Sequence, residues 1–314
     1  MRRTKGIHHI TAIVGHPQEN VDFYASVLGL RLVKKTINFD DPGTYHLYFG
    51  NEGGKPGSII TFFPWAGAYQ GKVGDGQVGV TSYAVPKGAL SFWEERLGKF
   101  HISFNKTERF GETYLTFDDI HGLHLELVER EEGTKNAWSI GDVTQEVAIK
   151  GFAGATLLSS NPGQTMNLLE KVMGYEKIGE EAGLVRYKSF GDIGNIIEVK
   201  TTTSGPGSMG VGTVHHIAFR AEDDADHLEW QSYIREHGYG VTPVRDRNYF
   251  NAIYFRESGQ LLFEIATDPP GFANDESFET MGLELKLPEQ YEQYREQLNQ
   301  TLIPIKIKDP EQLL

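Results

Sequence analysis

Apolar runs recur along the whole chain, and each is followed by residues that interrupt regular structure. Runs rich in aromatic and β-branched residues, such as TYHLYF, SIITFF and AIYF, are typical of strands. Other runs follow a helical period and stop near a glycine, so we expect helices to end at Gly29, Gly174 and Gly238. Asn20 and Asn161–Pro162 are the expected starts of two of these helices. The pattern therefore predicts a mixed α+β chain.

One order of elements repeats four times: a strand, a helix that ends near glycine, and then three more strands. The first copy contains IHHITAIV, TYHLYFG and GSIITFFPW, and the last contains VHHIAFRA, NAIYFRE and QLLFEIAT. Tyr45 follows His9 by 36 residues, and Ala252 follows His216 by the same 36. Two weaker copies lie between them. Four βαβββ modules therefore account for the chain from about residue 5 to about residue 270.

These modules predict an α+β protein with two domains of paired, strongly curved mixed β-sheets and flanking helices. The polar, glycine-containing break near residues 130–147 is expected to separate an N-terminal domain, residues 1–140, from a C-terminal domain, residues 146–276. Residues 277–314 are expected to form an extension. In it, PEQYEQYREQLNQTL predicts a helix and IPIKIK a closing strand, and we expect the extension to act as a cover or an oligomer contact.

Composition excludes several classes of protein. With 314 residues, 39% of them hydrophobic, the chain is long enough for two ordinary domains. Its net charge of −13 would repel phosphate backbones and anionic lipid, so we expect neither nucleic acid nor a membrane surface as a partner. No apolar stretch approaches the roughly 20 residues that span a bilayer, and no signal-type segment precedes the first strand. A cytoplasmic location is the simplest expectation.

The candidate chemistry lies in the duplicated histidine pair. The chain contains no cysteine, so any strong metal ligand is a histidine or a carboxylate. His9 and His216 begin equivalent strands of the first and last modules, and Glu264 lies in the otherwise apolar run LLFEIA, where burying an uncompensated carboxylate would be costly. A lone His-His pair at a strand start is usually structural, and the repetition is what favours a metal site. Two histidines and one carboxylate with open positions suit non-haem Fe(II) and oxygen chemistry.

This pattern resembles the vicinal oxygen chelate superfamily, which includes glyoxalases, fosfomycin-resistance enzymes, epimerases and extradiol dioxygenases. Within it, HHIT, the stretch NFDDPGTYHLYFGNEGGKPGSIITFFPW and the ending LLFEIATDPPGF look like the hydroquinone-type ring-cleaving dioxygenases. The resemblance covers nearly the whole chain. It implies Fe(II), with Mn(II) as the alternative metal, held by His9, His216 and Glu264. It also implies O2 and a hydroquinone or catechol-like aromatic as the reactants.

The same resemblance implies catalytic roles for four further residues. In RDRNYFNAIYF, Tyr254 matches a residue that would hydrogen-bond a metal-bound phenolate, and Arg247 one that would stabilise a developing anion. His8 and His215 precede the two candidate ligands, and strand alternation would point them to the opposite face unless a bulge intervenes. A packed ring for Tyr254 and a surface salt bridge for Arg247 are the structural alternatives.

The inner modules predict a degenerate second site. Val80 or Thr81 and Gly154 or Ala155 stand where histidine ligands would be, although carboxylates remain on both fourth strands, at Glu126 and Glu198. We expect these two carboxylates to be solvated or paired. In the first module, Thr61 or Phe62 aligns with Glu264, so a fourth protein ligand is missing and coordination positions stay free.

Two other classes of function remain open. A glyoxalase-type isomerase, lyase or thiol transferase would use the same fold with a redox-inert metal, but would ordinarily need a fourth protein ligand. A small-molecule-binding protein of this fold would need no metal. Assembly into a homo-oligomer is a further expectation.

Overall fold

The computed structural model describes all 314 residues, in sixteen strands and five α-helices. The strands are β1 (Ile7–Val14), β2 (Arg31–Asn38), β3 (Asp41–Gly50), β4 (Ile59–Pro64), β5 (Gln77–Val85), β6 (Phe104–Arg109), β7 (Glu112–Asp118), β8 (His124–Glu129), β9 (Gly151–Leu158), β10 (Glu176–Glu181), β11 (Leu184–Lys188), β12 (Ile196–Lys200), β13 (Thr213–Ala221), β14 (Arg245–Asp246), β15 (Phe250–Arg256) and β16 (Leu262–Pro270). The helices are α1 (Pro17–Val21), α2 (Leu90–Lys99), α3 (Pro162–Lys171), α4 (Asp224–Glu236) and α5 (Arg295–Thr301). A π-helical turn, Asp22–Val27, continues α1.

The strands form two curled, mixed, eight-stranded sheets, which confirms the predicted α+β class. The first sheet has the order β14-β15-β16-β13-β1-β4-β3-β2, and the second has the order β10-β11-β12-β9-β5-β8-β7-β6. In every module the first strand runs parallel to the fourth. The two modules of a sheet meet through their first strands, which are antiparallel: β1 with β13, and β5 with β9.

Hydrogen bonding groups the modules differently from the predicted domain boundaries. The first sheet joins the first module to the fourth, and the second sheet joins the second module to the third. The segments 1–140 and 146–276 follow chain order, so each of them contributes one module to each sheet. The antiparallel pairing of β1 with β13, in which Ile10 lies opposite Ile217, is what brings the two histidine motifs together.

The strand register shows which positions of the first and last modules are equivalent. Tyr48 pairs with Thr61 in the first module, and Tyr254 pairs with Glu264 in the last. The two tyrosines are therefore equivalent, as are Thr61 and Glu264. The equal spacing of 36 residues would instead align Tyr45 with Ala252, which is one residue away from the alignment that the strand register gives. The reason is that the first module has one residue more between its first and third strands.

The C-terminal extension covers the edge strand β2. The buried ammonium group of Lys34 contacts the carboxylates of Asp275, at 2.5 Å, and Glu276. Lys35 forms a backbone bridge with Leu285. The helix predicted in PEQYEQYREQLNQTL is present as a 3₁₀ segment, Glu289–Tyr294, followed by α5.

The predicted closing strand IPIKIK is wrong, because residues 303–308 have no strand neighbour. The side chain of Gln18 instead bonds both the N–H and the carbonyl of Lys306, where a neighbouring strand would have to lie. The predicted helix start at Asn20 is also wrong: α1 begins at Pro17, and the His16 side chain accepts a hydrogen bond from the Gln18 N–H. None of the helices has both the length and the apolar character needed to cross a membrane.

Candidate metal centre and substrate pocket

Three side chains from adjacent strands of the first sheet converge on one point. His9 lies on β1, His216 on β13 and Glu264 on β16, and they are 2%, 7% and 0% exposed. The Nε2 atoms of the two histidines are 3.3 Å apart. Glu264 Oε2 lies 3.3 Å from the Nε2 of His9 and 2.9 Å from that of His216. The pairing of the outer modules thus places the three predicted ligands within reach of one ion.

The burial and hydrogen bonding of Glu264 indicate whether these three residues fit a metal ion. Both of its carboxylate oxygens are buried and lack a hydrogen-bond partner, since neither imidazole meets them in hydrogen-bond geometry. Burial acts to raise the pKa of Glu264, but His9 and His216 outweigh it and hold that pKa well below its usual range. An ionised carboxylate without hydrogen bonds is costly to bury, and a cation between the three side chains would compensate it. The donor set of two imidazoles and one carboxylate suits a divalent first-row metal.

Two β-bulges explain how neighbouring histidines reach the same region. Ile7 pairs with Phe219 while His9 pairs with Ala218, so His8 is the extra residue on β1. On β13 the extra residue is His215. A bulge suspends strand alternation, and each neighbouring imidazole therefore lies beside its ligand instead of on the opposite face.

His8 sets the tautomer of His9. The Nε2 of His8 lies 3.1 Å from the carbonyl oxygen of Thr267, which can only accept, so the proton of His8 is on Nε2. Burial lowers the pKa of His8 well below its usual value, and its Nδ1 is therefore an acceptor. The Nδ1 of His9, 2.9 Å away, donates to it. Neutral His9 then has its lone pair on Nε2, the atom that faces Glu264, as a metal ligand requires.

His215 plays the corresponding part beside His216. Their Nδ1 atoms are 2.8 Å apart. Burial lowers the pKa of His215 to about 3, and burial also lowers the pKa of His216 against the opposing effect of Glu264. If His216 binds a metal through Nε2, its Nδ1–H donates to His215, whose own proton is then on Nε2. That Nε2 makes no hydrogen bond to protein, and His215 borders the adjacent cavity.

A cavity of about 410 Å³ opens beside the triad. Both outer modules line it, and more than half of the lining residues are aromatic or histidine. The lining residues are His9, Thr11, Asn38, Phe39, Asp40, Asp41, His46, Tyr48, Phe63, Trp65, His215, His216, Thr242, Arg245, Arg247, Phe250, Tyr254 and Leu262. A volume of this size accommodates a small substituted ring. Five of the seven predicted site residues border the cavity, and Glu264 and His8 lie buried beneath them.

Tyr254 and Arg247 are joined at this wall. The Nε–H of Arg247 donates to the Tyr254 hydroxyl oxygen at 3.3 Å, and Tyr254 is the cross-strand neighbour of Glu264. Burial and the charge of Glu264 raise the pKa of Tyr254 well above its usual range, so the phenol stays protonated. Because Arg247 already donates to the oxygen, the phenol proton remains available to a ligand.

Sequence reasoning missed His46 and Tyr48, which form the opposite wall. The Nδ1 of His46 lies 2.8 Å from the Tyr48 hydroxyl, and its Nε2 lies 2.8 Å from the Thr61 hydroxyl. Thr61 in turn lies 3.0 Å from the Thr11 hydroxyl. Thr61 is therefore engaged with side chains at the position equivalent to Glu264 and supplies no fourth ligand. The spacing in TYHLYF, which places a histidine and a tyrosine on one strand face, was the available signal.

At the mouth of the cavity, one carboxylate lies close to two guanidinium groups. The Nη2 of Arg247 lies 3.1 Å from Asp40 Oδ2, and the Nη1 of Arg245 lies 3.7 Å from Asp40 Oδ1. On the same hairpin, Asp41 accepts a hydrogen bond of 2.9 Å from the indole N–H of Trp65. The first module supplies both carboxylates, and the last module supplies both guanidinium groups.

In the second sheet, cationic side chains occupy the equivalent region. Strand register places Val80 and Gly154 at the positions of the two histidines. Glu126 and Glu198 are paired rather than solvated: Arg109 reaches Glu126 at 2.7 Å and Glu198 at 3.0 Å. A second guanidinium, from Arg186, reaches Glu198 at 2.6 Å. The remaining space of about 10 Å³ is too small for a ligand.

Comparison with known proteins finds a matching family model and similar relatives of this chain. The family model described as "Glyoxalase/Bleomycin resistance protein/Dioxygenase superfamily" matches residues 6–275. MhqO of Bacillus subtilis, provisionally named a ring-cleaving dioxygenase, is 70% identical over 98% of this chain and 99% of its own. Chlorohydroquinone/hydroquinone 1,2-dioxygenase of Sphingobium indicum is 36% identical over 96% of both chains. The crystal structure of a B. subtilis protein provisionally named a dioxygenase, 70% identical, superposes with a TM-score of 0.98 over 98% of this chain and 100% of that one.

Proposed function

Because the chain belongs to the glyoxalase/bleomycin resistance protein/dioxygenase superfamily and its relatives are named ring-cleaving dioxygenases, we propose that it is an Fe(II)-dependent, extradiol-type dioxygenase acting on hydroquinones or catechol-like aromatics. The observation that carries the proposal is the buried group of His9, His216 and Glu264, which lacks a fourth protein ligand and adjoins a cavity of about 410 Å³. Mn(II) is the alternative metal for the same donors.

The reaction consumes one aromatic diol and one O2, breaks a ring carbon–carbon bond beside a hydroxylated carbon and places both oxygen atoms in the product. A divalent metal held by the three ligands would lower the pKa of a coordinated phenol and transfer electron density between the ring and oxygen. The cavity supplies the shape. Phe63, Trp65, Phe250 and Leu262 give it apolar surfaces that contact a ring and exclude water from it.

Protein side chains supply the hydrogen bonds and proton transfers. The Tyr254 phenol, held through its oxygen by Arg247, donates its proton to a phenolate oxygen near Glu264. The positive charge of Arg247 stabilises negative charge as it develops on the ring substituents. His215 presents Nε2 to the cavity and exchanges a proton with substrate or product, while His8 keeps His9 in the ligating tautomer.

Two observations favour this proposal over the alternatives. A glyoxalase-type isomerase would use a fourth ligand at the position of Thr61, whose hydroxyl is engaged with His46 and Thr11. A metal-free binding protein would leave the buried Glu264 carboxylate without hydrogen bonds or a counter-ion. The cytoplasmic location, the homo-oligomer, and the lack of nucleic-acid and membrane partners stay predictions.

The test is oxygen uptake by anaerobically purified, Fe(II)-loaded protein after addition of methylhydroquinone or, separately, catechol. Spectra recorded in parallel follow the ring-opened product. Uptake equal to product formation supports the proposal, and the two rates rank the substrate classes. Bound metal without uptake favours an isomerase or lyase at the same ligands, and a protein that binds no metal favours a ligand-binding role.

A further inference from the structure

The charges at the cavity mouth sit between the solvent and the metal centre. Asp40 lies at the tip of the hairpin that joins β2 to β3, and Arg245 and Arg247 come from the facing module. Arg247 spans the wall, since its Nε bonds Tyr254 at 3.3 Å while its Nη2 bonds Asp40 at 3.1 Å. The same guanidinium therefore connects the mouth to the neighbour of Glu264.

Without Asp40, this mouth would be an anion site. Arg247 has a largely buried side chain, 17% exposed, and its planar fork matches a carboxylate. Asp40 already accepts from the Nη2 of this guanidinium and also lies 3.7 Å from Arg245. Two guanidinium groups and two carboxylates border the cavity mouth, so their formal charges cancel.

We propose that Asp40 is a specificity-determining residue that makes this cavity accept uncharged hydroquinones and reject those that carry a carboxylate. The inference rests on the proposed function. An anionic ring substituent that reaches Arg247 must either displace the Asp40 carboxylate or lie beside it. Displacement is opposed because Asp40 belongs to the hairpin that borders the cavity, and lying beside it brings two negative charges into contact. An uncharged substituent needs neither change. The selection therefore comes from the protein's own carboxylate, which binds the arginines before a substrate does.

The expected size follows from Coulomb's law. Asp40 is 63% exposed, so its charge acts through a medium close to water. At about 6 Å and an effective dielectric constant of about 40 to 80, removing one negative charge favours a bound carboxylate by about 3- to 10-fold. Asp41 is the matched control, because it carries the same charge on the same hairpin but bonds Trp65 and neither arginine.

The experiment compares gentisate with gentisamide, two hydroquinones of nearly equal shape that differ in one charge. We would measure kcat/KM for both with the wild-type protein, Asp40→Asn and Asp41→Asn. In the wild type, gentisamide should be the better substrate. Asp40→Asn should shift the ratio towards gentisate by about 3- to 10-fold, an effect that shrinks at high salt, and Asp41→Asn should shift it less, because its carboxylate contacts neither arginine. An equal shift in both variants, or none in Asp40→Asn, would overturn the inference.

Binding without turnover separates this inference from the proposed function. Quenching of tryptophan fluorescence under nitrogen reports the affinity of each ligand for the metal-loaded protein, because Trp65 borders the cavity. If no hydroquinone is cleaved but the affinity ratio shifts in Asp40→Asn alone, the proposed reaction fails while Asp40 keeps its role. If cleavage proceeds and the affinity ratio does not shift, the role of Asp40 fails alone.

Discussion

Replacing Glu264 by glutamine should separate metal binding from stability. The two carboxylate oxygens are fully buried and have no hydrogen-bond partner. The carboxylate of the metal-free wild type therefore lacks the hydrogen bonds that a buried charge ordinarily has. Glutamine keeps the shape and removes the charge. The missing hydrogen bonds and the lowered pKa of Glu264 act on stability in opposite directions, so we expect metal-free Glu264→Gln to lie within about 1 kcal/mol of the wild type.

Bound metal should make the wild type clearly the more stable of the two. At a metal concentration of about 100 times Kd, the wild type gains about 2.7 kcal/mol, which corresponds to a rise in Tm of about 5 to 10 °C. Loss of the charged ligand should weaken the affinity about 100-fold or more, and the same concentration then contributes about 0.4 kcal/mol and a rise of about 1 °C. Differential scanning fluorimetry with and without Mn(II), or Fe(II) under nitrogen, measures both values.

Glu198→Gln is the matched control, because Glu198 is a buried carboxylate at the equivalent place in the second sheet. It accepts hydrogen bonds from Arg109 and Arg186, so its neutralisation should cost about 3 kcal/mol with or without metal. The metal-induced rise in Tm should stay intact. The reasoning is refuted if Glu264→Gln keeps most of the metal-induced rise, or if it lowers the Tm of the metal-free protein as much as Glu198→Gln does.

Three further outcomes are expected. Thr61→Glu should place a carboxylate opposite Glu264 and fill a coordination position of the metal. Bound metal, measured by elemental analysis, should then remain while the rate of ring cleavage falls by about 100-fold or more. An unchanged rate would show that this position is not open to the metal. His8→Phe should weaken metal affinity by about 10- to 100-fold in a competitive chelator titration, because His9 loses the acceptor that fixes its tautomer, and an unaltered affinity would contradict that role. The metal-free protein should lose stability as the pH falls below 6.5, the ordinary histidine pKa, because histidines in the unfolded chain bind protons there and the buried ones in the folded protein do not. Urea unfolding midpoints at about pH 7.5 and about pH 5.5 check the sign of this effect. A higher midpoint at the lower pH would contradict it. The histidines whose pKa is lowered in the fold, in each case first by burial, are His8, His46, His121, His215, His216 and His227.

The sequence predicted the class of fold and the three converging residues because both depend on repeated patterns. Equivalent strand starts at His9 and His216 can be read from HHIT and VHHIAF, and the family resemblance drawn from these stretches is confirmed by the comparisons. The carboxylate in LLFEIA stood out because charge is rare in an apolar strand.

What the sequence did not predict depends on contacts between distant segments. A bulge at His8 exists only in the register of β1 against β13, and the local residues give no sign of it. His46 looked like one polar residue in a half-buried strand until Tyr48 and Thr61 were seen to bond both of its nitrogens. IPIKIK alternates as a strand does, but Gln18, a residue 288 positions away, bonds the backbone where a strand neighbour would lie.

The grouping of the modules into an outer and an inner pair has a consequence for synthesis on the ribosome. The second sheet uses one continuous stretch of chain, from β5 to β12, and can form as soon as residue 200 has emerged. The first sheet needs the first and the last module of the chain. His9 lies 207 residues before His216, and Glu264 is synthesised later still. A nascent chain released before residue 264 therefore lacks one of the three candidate ligands, so binding of a metal ion would mark a chain whose synthesis has passed Glu264.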